Sequence, residues 1–186
     1  MTAAWRRLRY PLAAASALAL LAAMVVSGSI PQQRQLVRFE AKGVLALPPE
    51  RILRVELSRG DERVTLLRRG GTSWATADGT DLGAAGAGVG MAVQVMRNSA
   101  PVREIGPAEL AGVDTAPFGL DPPRLTVALY GSGGEPALTA RFGEPNPEEY
   151  LQYMRIDGDA RLYLMSRFVG GGWSDAMAAA AASAGR

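Results

Sequence analysis

The 186-residue chain has no histidine and no cysteine, and Lys42 is its only lysine. These absences exclude the Ser-His-Asp triad, the Cys-His pair, the usual zinc site and covalent haem attachment. With no thiol there is no lipid-modified cysteine either. A Ser-Lys dyad would have to recruit Lys42, which lies in a stretch that reads as a linker. Zero cysteine is compatible with an oxidising compartment without demonstrating one.

Acidic residues are missing from the first 39 positions, where Arg6, Arg7 and Arg9 precede an uncharged stretch from Tyr10 to Val26. A helix over that stretch would rise about 25 Å, just short of a bilayer core. Ser27-Gly28-Ser29 then offers small residues suited to signal-peptidase cleavage, with Val26 and Gly28 as a −3/−1 pair. Residues 1–28 therefore read as a retained signal-anchor or a cleaved signal peptide, the anchor being favoured. Residues 10–26 would contact the membrane. Basic charge ahead of the span favours a C-terminal domain outside the cytoplasm, although Arg34, Arg38 and Lys42 soften that bias. The expected location is a single-pass position in a bacterial inner membrane with a periplasmic domain. The alternative is a periplasmic or secreted protein after cleavage.

Three arginines and no acids in residues 1–28 also account for the basic balance of the whole chain. Setting them aside leaves 17 basic against 18 acidic residues. Nucleic-acid binding needs a basic patch on the folded domain, and no charge cluster beyond residue 28 singles one out. The phosphate-loop motifs are absent as well, with no Gly-Lys-Ser/Thr and no Gly-x-Gly-x-x-Gly entering a clear helix.

What remains suits one domain. Residues 29–49 read as a juxtamembrane linker, closed by Pro48-Pro49. Residues 50–172 carry the domain, and 173–186 an alanine-rich C-terminal helix or tail. The expected class is α+β, mainly antiparallel meanders and hairpins with one or two packed helices. Leu53, Val55 and Leu57 alternate with Arg54, Glu56 and Ser58, and Val64 and Leu66 repeat the pattern beyond Gly60-Asp61. A third short strand is expected around Trp74, giving a meander with an arginine-rich, solubilising outer face.

Over residues 81–97, Asp81 could cap a helix in which Val89, Val93 and Met96 share a face. Gly83, Gly86, Gly88 and Gly90 oppose it, each costing about 1 kcal/mol relative to alanine inside a helix. If the helix forms, the glycines would allow close approach to the sheet. A short helix is expected at Pro107–Ala111, ended by Gly112. Strands follow at 125–130 and 138–142. Tyr150–Ile156 then pairs with Arg161–Phe168 across Asp157-Gly158-Asp159. Ser174 is expected to cap the final helix after Trp173.

Gly119-Leu120-Asp121-Pro122-Pro123 is a Gly-Leu-x-x-Pro turn leading into an alternating strand. It resembles the signature of the domain of unknown function 4340 family. The upstream strands, Trp74 and the small-residue helix fit that resemblance. Downstream, so do Phe142-Gly143-Glu144, the strand containing Tyr150, Tyr153 and Arg155, and Arg161-Leu162-Tyr163-Leu164. It covers roughly residues 50–170, and the glycine-heavy 83–90 region departs from the family's longer aliphatic helix. The resemblance implies an envelope protein with an N-terminal membrane segment. Some members lie near, or are fused to, ABC-transporter components of the gliding-motility type. It carries over no catalytic residue. On physical grounds Gly119 supplies a positive φ, Leu120 plugs the core and the prolines stiffen the approach to the next strand.

Two functions from different classes follow. The first is a membrane-tethered, non-catalytic interaction module serving an envelope or transporter assembly, with no cofactor, no metal and no nucleic acid. Its interaction surface would draw on Trp74, Tyr150, Tyr153, Arg155 and Tyr163, although such aromatics are more often core or cross-strand pairs. The second is a periplasmic ligand-binding domain or a carboxylate-dependent hydrolase. Glu144, Glu148, Glu149, Asp157 and Asp159 would supply its acids, and these also sit where solvated turn residues are ordinary.

Overall fold

The computed structural model describes residues 14–25 and 41–184. The chain divides into two units, Met1–Glu40 and Ala41–Arg186. In the first, residues 14–25 form helix α1, which carries no charged side chain and is exposed throughout. No described helix is long and apolar enough to cross a membrane. Arg6, Arg7, Arg9, the small residues 27–29 and residues 30–40 of the expected linker lie outside the described residues.

The second unit is α+β and is built on one eight-stranded antiparallel sheet. Its strands are β1 (Arg54–Arg59), β2 (Glu62–Gly70), β3 (Ser73–Thr76), β4 (Arg103–Ile105), β5 (Leu125–Tyr130), β6 (Pro136–Pro145), β7 (Leu151–Ile156) and β8 (Leu162–Ser166). Their spatial order is β3-β2-β1-β5-β6-β7-β8-β4. The first meander and the last four-strand run join at the β1–β5 pair, where Val55 faces Leu129 and Leu57 faces Val127. Helix α2 (Ala84–Asn98) carries the chain from the β3 edge to the β4 edge. Helix α4 (Arg167–Ala184) packs beside α2 on the same face, and the short α3 is Pro107–Leu110.

The period-2 pattern of the strands puts their apolar residues under these helices. Val55, Leu57, Leu66, Val127, Leu129, Ala140, Phe142 and Met154 join Val89, Val93, Met96, Trp173 and Met177 in one buried cluster. On the opposite face, Leu162 is fully buried and Tyr153 stacks on Phe118 with ring centroids 4.4 Å apart. The 3-10 turn Ala116–Phe118 thus covers part of that face, near β6 and β7.

Several expectations are corrected. Leu53 is 44% exposed, because Ile52 leaves the 3-10 turn Pro49–Arg51 pointing into the core and strand alternation starts only at Arg54. Helix α2 forms despite its glycines, but Gly83 rather than Asp81 occupies the N-cap, and the Asp81 carboxylate instead accepts from the Gly83 N–H at 2.9 Å. Packing carries this helix. A Cβ on Gly86 would lie 3.1 Å from the Trp74 backbone nitrogen, so glycine sets the helix-to-strand distance. β8 stops at Ser166, and α4 runs straight through Gly170-Gly171-Gly172. Ser174 is therefore interior to the helix, its hydroxyl on the Gly170 carbonyl at 3.3 Å.

The compact unit begins at Ala41, ahead of residue 50. Gly43 and Leu45 donate to the last carbonyls of α2 at 2.8 and 3.1 Å, and Leu45 is buried. Arg68 fastens the same corner. Its guanidinium donates to the carbonyls of Ile52, Pro49 and Gly71 and lies 4.6 Å from the Trp74 ring centre. Burial draws the Arg68 pKa down.

Candidate functional site

The Gly119–Pro123 turn is held to the sheet by close backbone approach. Gly119 has φ 61°, and a Cβ there would meet the Glu144 side chain at 2.6 Å. Opposite it, a Cβ on Gly143 would fall 2.0 Å from the Phe118 carbonyl oxygen. Leu120 is buried, the Asp121–Pro122 peptide is cis, and Arg124 donates its backbone N–H to Phe142 at 2.9 Å. The two glycines are the contact surface of one loop on one strand.

Beyond this turn the chain borders a concave surface. A cleft of about 850 Å³, half open to solvent, lies between the β1–β2 turn, residues 122–126, the ends of β6 and β7, and the first turns of α4. Arg59, Arg124 and Arg167 line it, with Asp175 as the single acid among the lining residues. Pro122, Pro123, Pro145 and Leu125 form apolar wall, while Ser58, Thr126, Gln152 and Ser174 offer polar groups. Arg124 pairs with Glu144 at 2.8 Å, and Arg167 reaches the Glu149 carbonyl at 3.2 Å. The Arg59 side chain has no ion pair or hydrogen bond among the described residues.

The second surface is an apolar groove of about 340 Å³ between α2 and α4. Ala84, Gly88, Ala92, Gly172, Ala176 and Ala179 form much of it, and Met91 and Phe168 stand exposed at its rims. Side chains this small leave a channel where two helices would otherwise interlock.

The expected aromatic surface is not assembled. Trp74 and Tyr163 are core residues with 0% and 3% exposure, because their strand positions face the helices. Tyr153 points to the opposite face and is engaged by Phe118, since Tyr153 pairs with Leu164 while Tyr163 pairs with Met154. Tyr150 is exposed, ahead of β7. Arg155 is half-buried, and its Nε has no hydrogen-bond partner among the described residues.

The candidate acids are each tied to a local partner. Asp157 pairs with Arg141 at 2.7 Å, Glu144 with Arg124, Glu148 with the Asn146 amide, and Glu149 with Arg167 at 3.6 Å. Asp159 accepts from Arg161 and from the Tyr163 hydroxyl, both at 2.6 Å. Arg161, then Tyr163, hold the Asp159 carboxyl well below the usual carboxylate range. Burial, then Asp159, pushes the Tyr163 hydroxyl up to about 12. These shifts follow from a hairpin clamp, which Arg161 extends to Glu104 at 2.7 Å. Among the described residues no group of acids is arranged to hold a metal ion.

No family model, curated protein or solved structure matches the chain. Neither concave surface was visible in the sequence. The three arginines of the cleft come from three distant stretches of chain, and the groove depends on which faces of α2 and α4 meet. The one available signal was compositional: small residues recurring along both helices.

Proposed function

We propose that the chain is a membrane-tethered, extracytoplasmic, non-catalytic interaction module of a bacterial envelope or transporter assembly, in the manner of the domain of unknown function 4340 family. The observation that carries this reading is the pairing of an apolar helix, exposed on every side, with a separate compact domain. A helix that is apolar all round needs lipid or protein around it. α1 covers 12 residues, and the uncharged sequence continues from Tyr10 to Val26, so the apolar segment is longer than the described helix. The local pairing of each candidate acid supports a non-catalytic domain over a carboxylate-dependent hydrolase. The α2–α4 groove supplies the contact surface, and an apolar helix from the extracytoplasmic part of a membrane-protein partner is its occupant.

The tether is tested with the full chain, tagged at its C-terminus, in a Gram-negative host. It should sediment with membranes, resist carbonate extraction and become protease-sensitive once the outer membrane is opened. A shortened soluble product would overturn the tether; protection inside intact spheroplasts would overturn the orientation. The groove is tested by placing a photo-crosslinker at Met91. A crosslink to an integral membrane protein should disappear with Gly88→Leu, a position where nothing lies within 4 Å of an added Cβ. A crosslink insensitive to that filling would remove the groove from the proposal.

A further inference from the structure

The arginine-lined cleft shares only Asp175 with the lining of the α2–α4 groove. We infer that it binds an extended acidic peptide segment of a protein partner, a reading that rests on the domain being an interaction module. Three features favour this ligand. The first is charge. Arg59, Arg124 and Arg167 line the cleft beside Asp175. Glu144 and Glu149 pair with the latter two arginines, which leaves Arg59 as the cleft guanidinium without an acidic partner among the described residues. An unpaired cation at the wall of a concave surface draws in the opposite charge.

The second is spare donor capacity. A guanidinium carries five N–H donors, and Arg124 and Arg167 each use few of them on their acidic neighbours. Arg59 uses none among the described residues. Carboxylates accept such donors two at a time, which gives direction as well as attraction. The third is shape. The cleft is half open over about 850 Å³ and runs past proline walls, whereas small-molecule sites enclose most of their ligand. A peptide lying in it would keep one side in water and pair its backbone with the Gln152, Ser174 and Thr126 side chains.

The test uses the full chain in detergent micelles and a fluorescein-labelled Glu-Ser-Glu-Pro-Glu peptide, followed by fluorescence anisotropy at low salt. Binding should saturate, and the matching lysine peptide should not bind. Arg59→Gln with Arg167→Gln should weaken binding by about tenfold. Arg51→Gln with Arg69→Gln, which removes the same charge from exposed positions outside the cleft, should weaken it less than about twofold. Equal losses in the two double variants would reduce the effect to general charge and overturn the assignment. Displacement of the peptide by inorganic phosphate at equal concentration, or binding confined to phosphatidylglycerol vesicles, would overturn it in favour of a small-anion or lipid site. Gly171→Glu provides a second variant that keeps every arginine. Nothing lies within 4 Å of an added Cβ there, so the carboxylate can occupy the cleft, and peptide binding should be abolished. Retained binding in that folded variant would also overturn the proposal. Membrane sedimentation of all variants reads the tether separately.

Discussion

Away from the patch covered by Phe118, the two faces of the sheet are held by different physics. Under α2 and α4 the contacts are dry: Phe142, Leu129, Met154 and Leu66 are fully buried. On the opposite face of β1 and β5, side chains pair through charge. Arg54 lies 3.8 Å from the Tyr130 ring centre, and the Tyr130 hydroxyl donates to Glu56 at 2.9 Å. Farther along, Arg141 meets Asp157 with both partners more than two-fifths exposed. The difference teaches where stability resides. Apolar burial is worth about 25 cal/mol per Å² removed from water, while an exposed ion pair contributes about 0–1 kcal/mol. The dry face holds the domain together, and the wet face selects the surface it presents.

Substitutions can break or sharpen that contrast. Phe142→Ala leaves a cavity beneath α4 and should cost about 3–5 kcal/mol in urea unfolding. Tyr163 spans both regimes, with its ring among the dry residues and its hydroxyl on Asp159. Its hydroxyl pKa is raised in the fold, so the native state holds its proton to higher pH than the unfolded chain. Its contribution is complete below about 10 and is lost as pH rises towards about 12. Unfolding midpoints measured across that interval should fall more steeply for the natural chain than for Tyr163→Phe. Tyr130→Phe removes one hydrogen bond on the wet face and should cost about 0.5–1.5 kcal/mol. Arg141→Gln should cost about 0–1 kcal/mol, and the loss should shrink further in high salt. A wet-face loss as large as that of Phe142→Ala would dissolve the contrast.

The dry face was also the more legible one in sequence. Alternation in residues 52–58 and 125–130 marked strands because a half-buried strand has to place apolar side chains at every second position, and Asp157-Gly158-Asp159 marked the last hairpin. The glycines of 83–90 left the helix over 81–97 open, and those of 170–172 gave no sign that α4 runs through them; at both places tertiary packing outweighs helix propensity. At Gly170 an added Cβ would reach the Phe142 ring at 3.2 Å, so α4 needs glycine in order to sit on the sheet. β4 was not legible at all. Arg103-Glu104-Ile105 is too short to show a period, and its existence depends on β8 being beside it. The cleft failed for a related reason: Arg59, Arg124 and Arg167 share a wall only after the strands have found their order. Aromatic residues suggested a surface, but strand parity directed Trp74 and Tyr163 inward.

The route of α2 from one sheet edge to the other has a consequence for how the chain is made. β4 leaves the ribosome before β5, β6 and β7, yet its partner β8 is among the last strands to emerge. The first meander and α2 can therefore gather early, while residues 103–105 wait, unpaired, for a strand at the far end of the sequence. Such long-range closure is slow because the loop entropy is spent before the contact forms. The final hairpin then acts as the latch of the domain, and a chain truncated before β8 would leave both α2 and the β4 edge without their finished support.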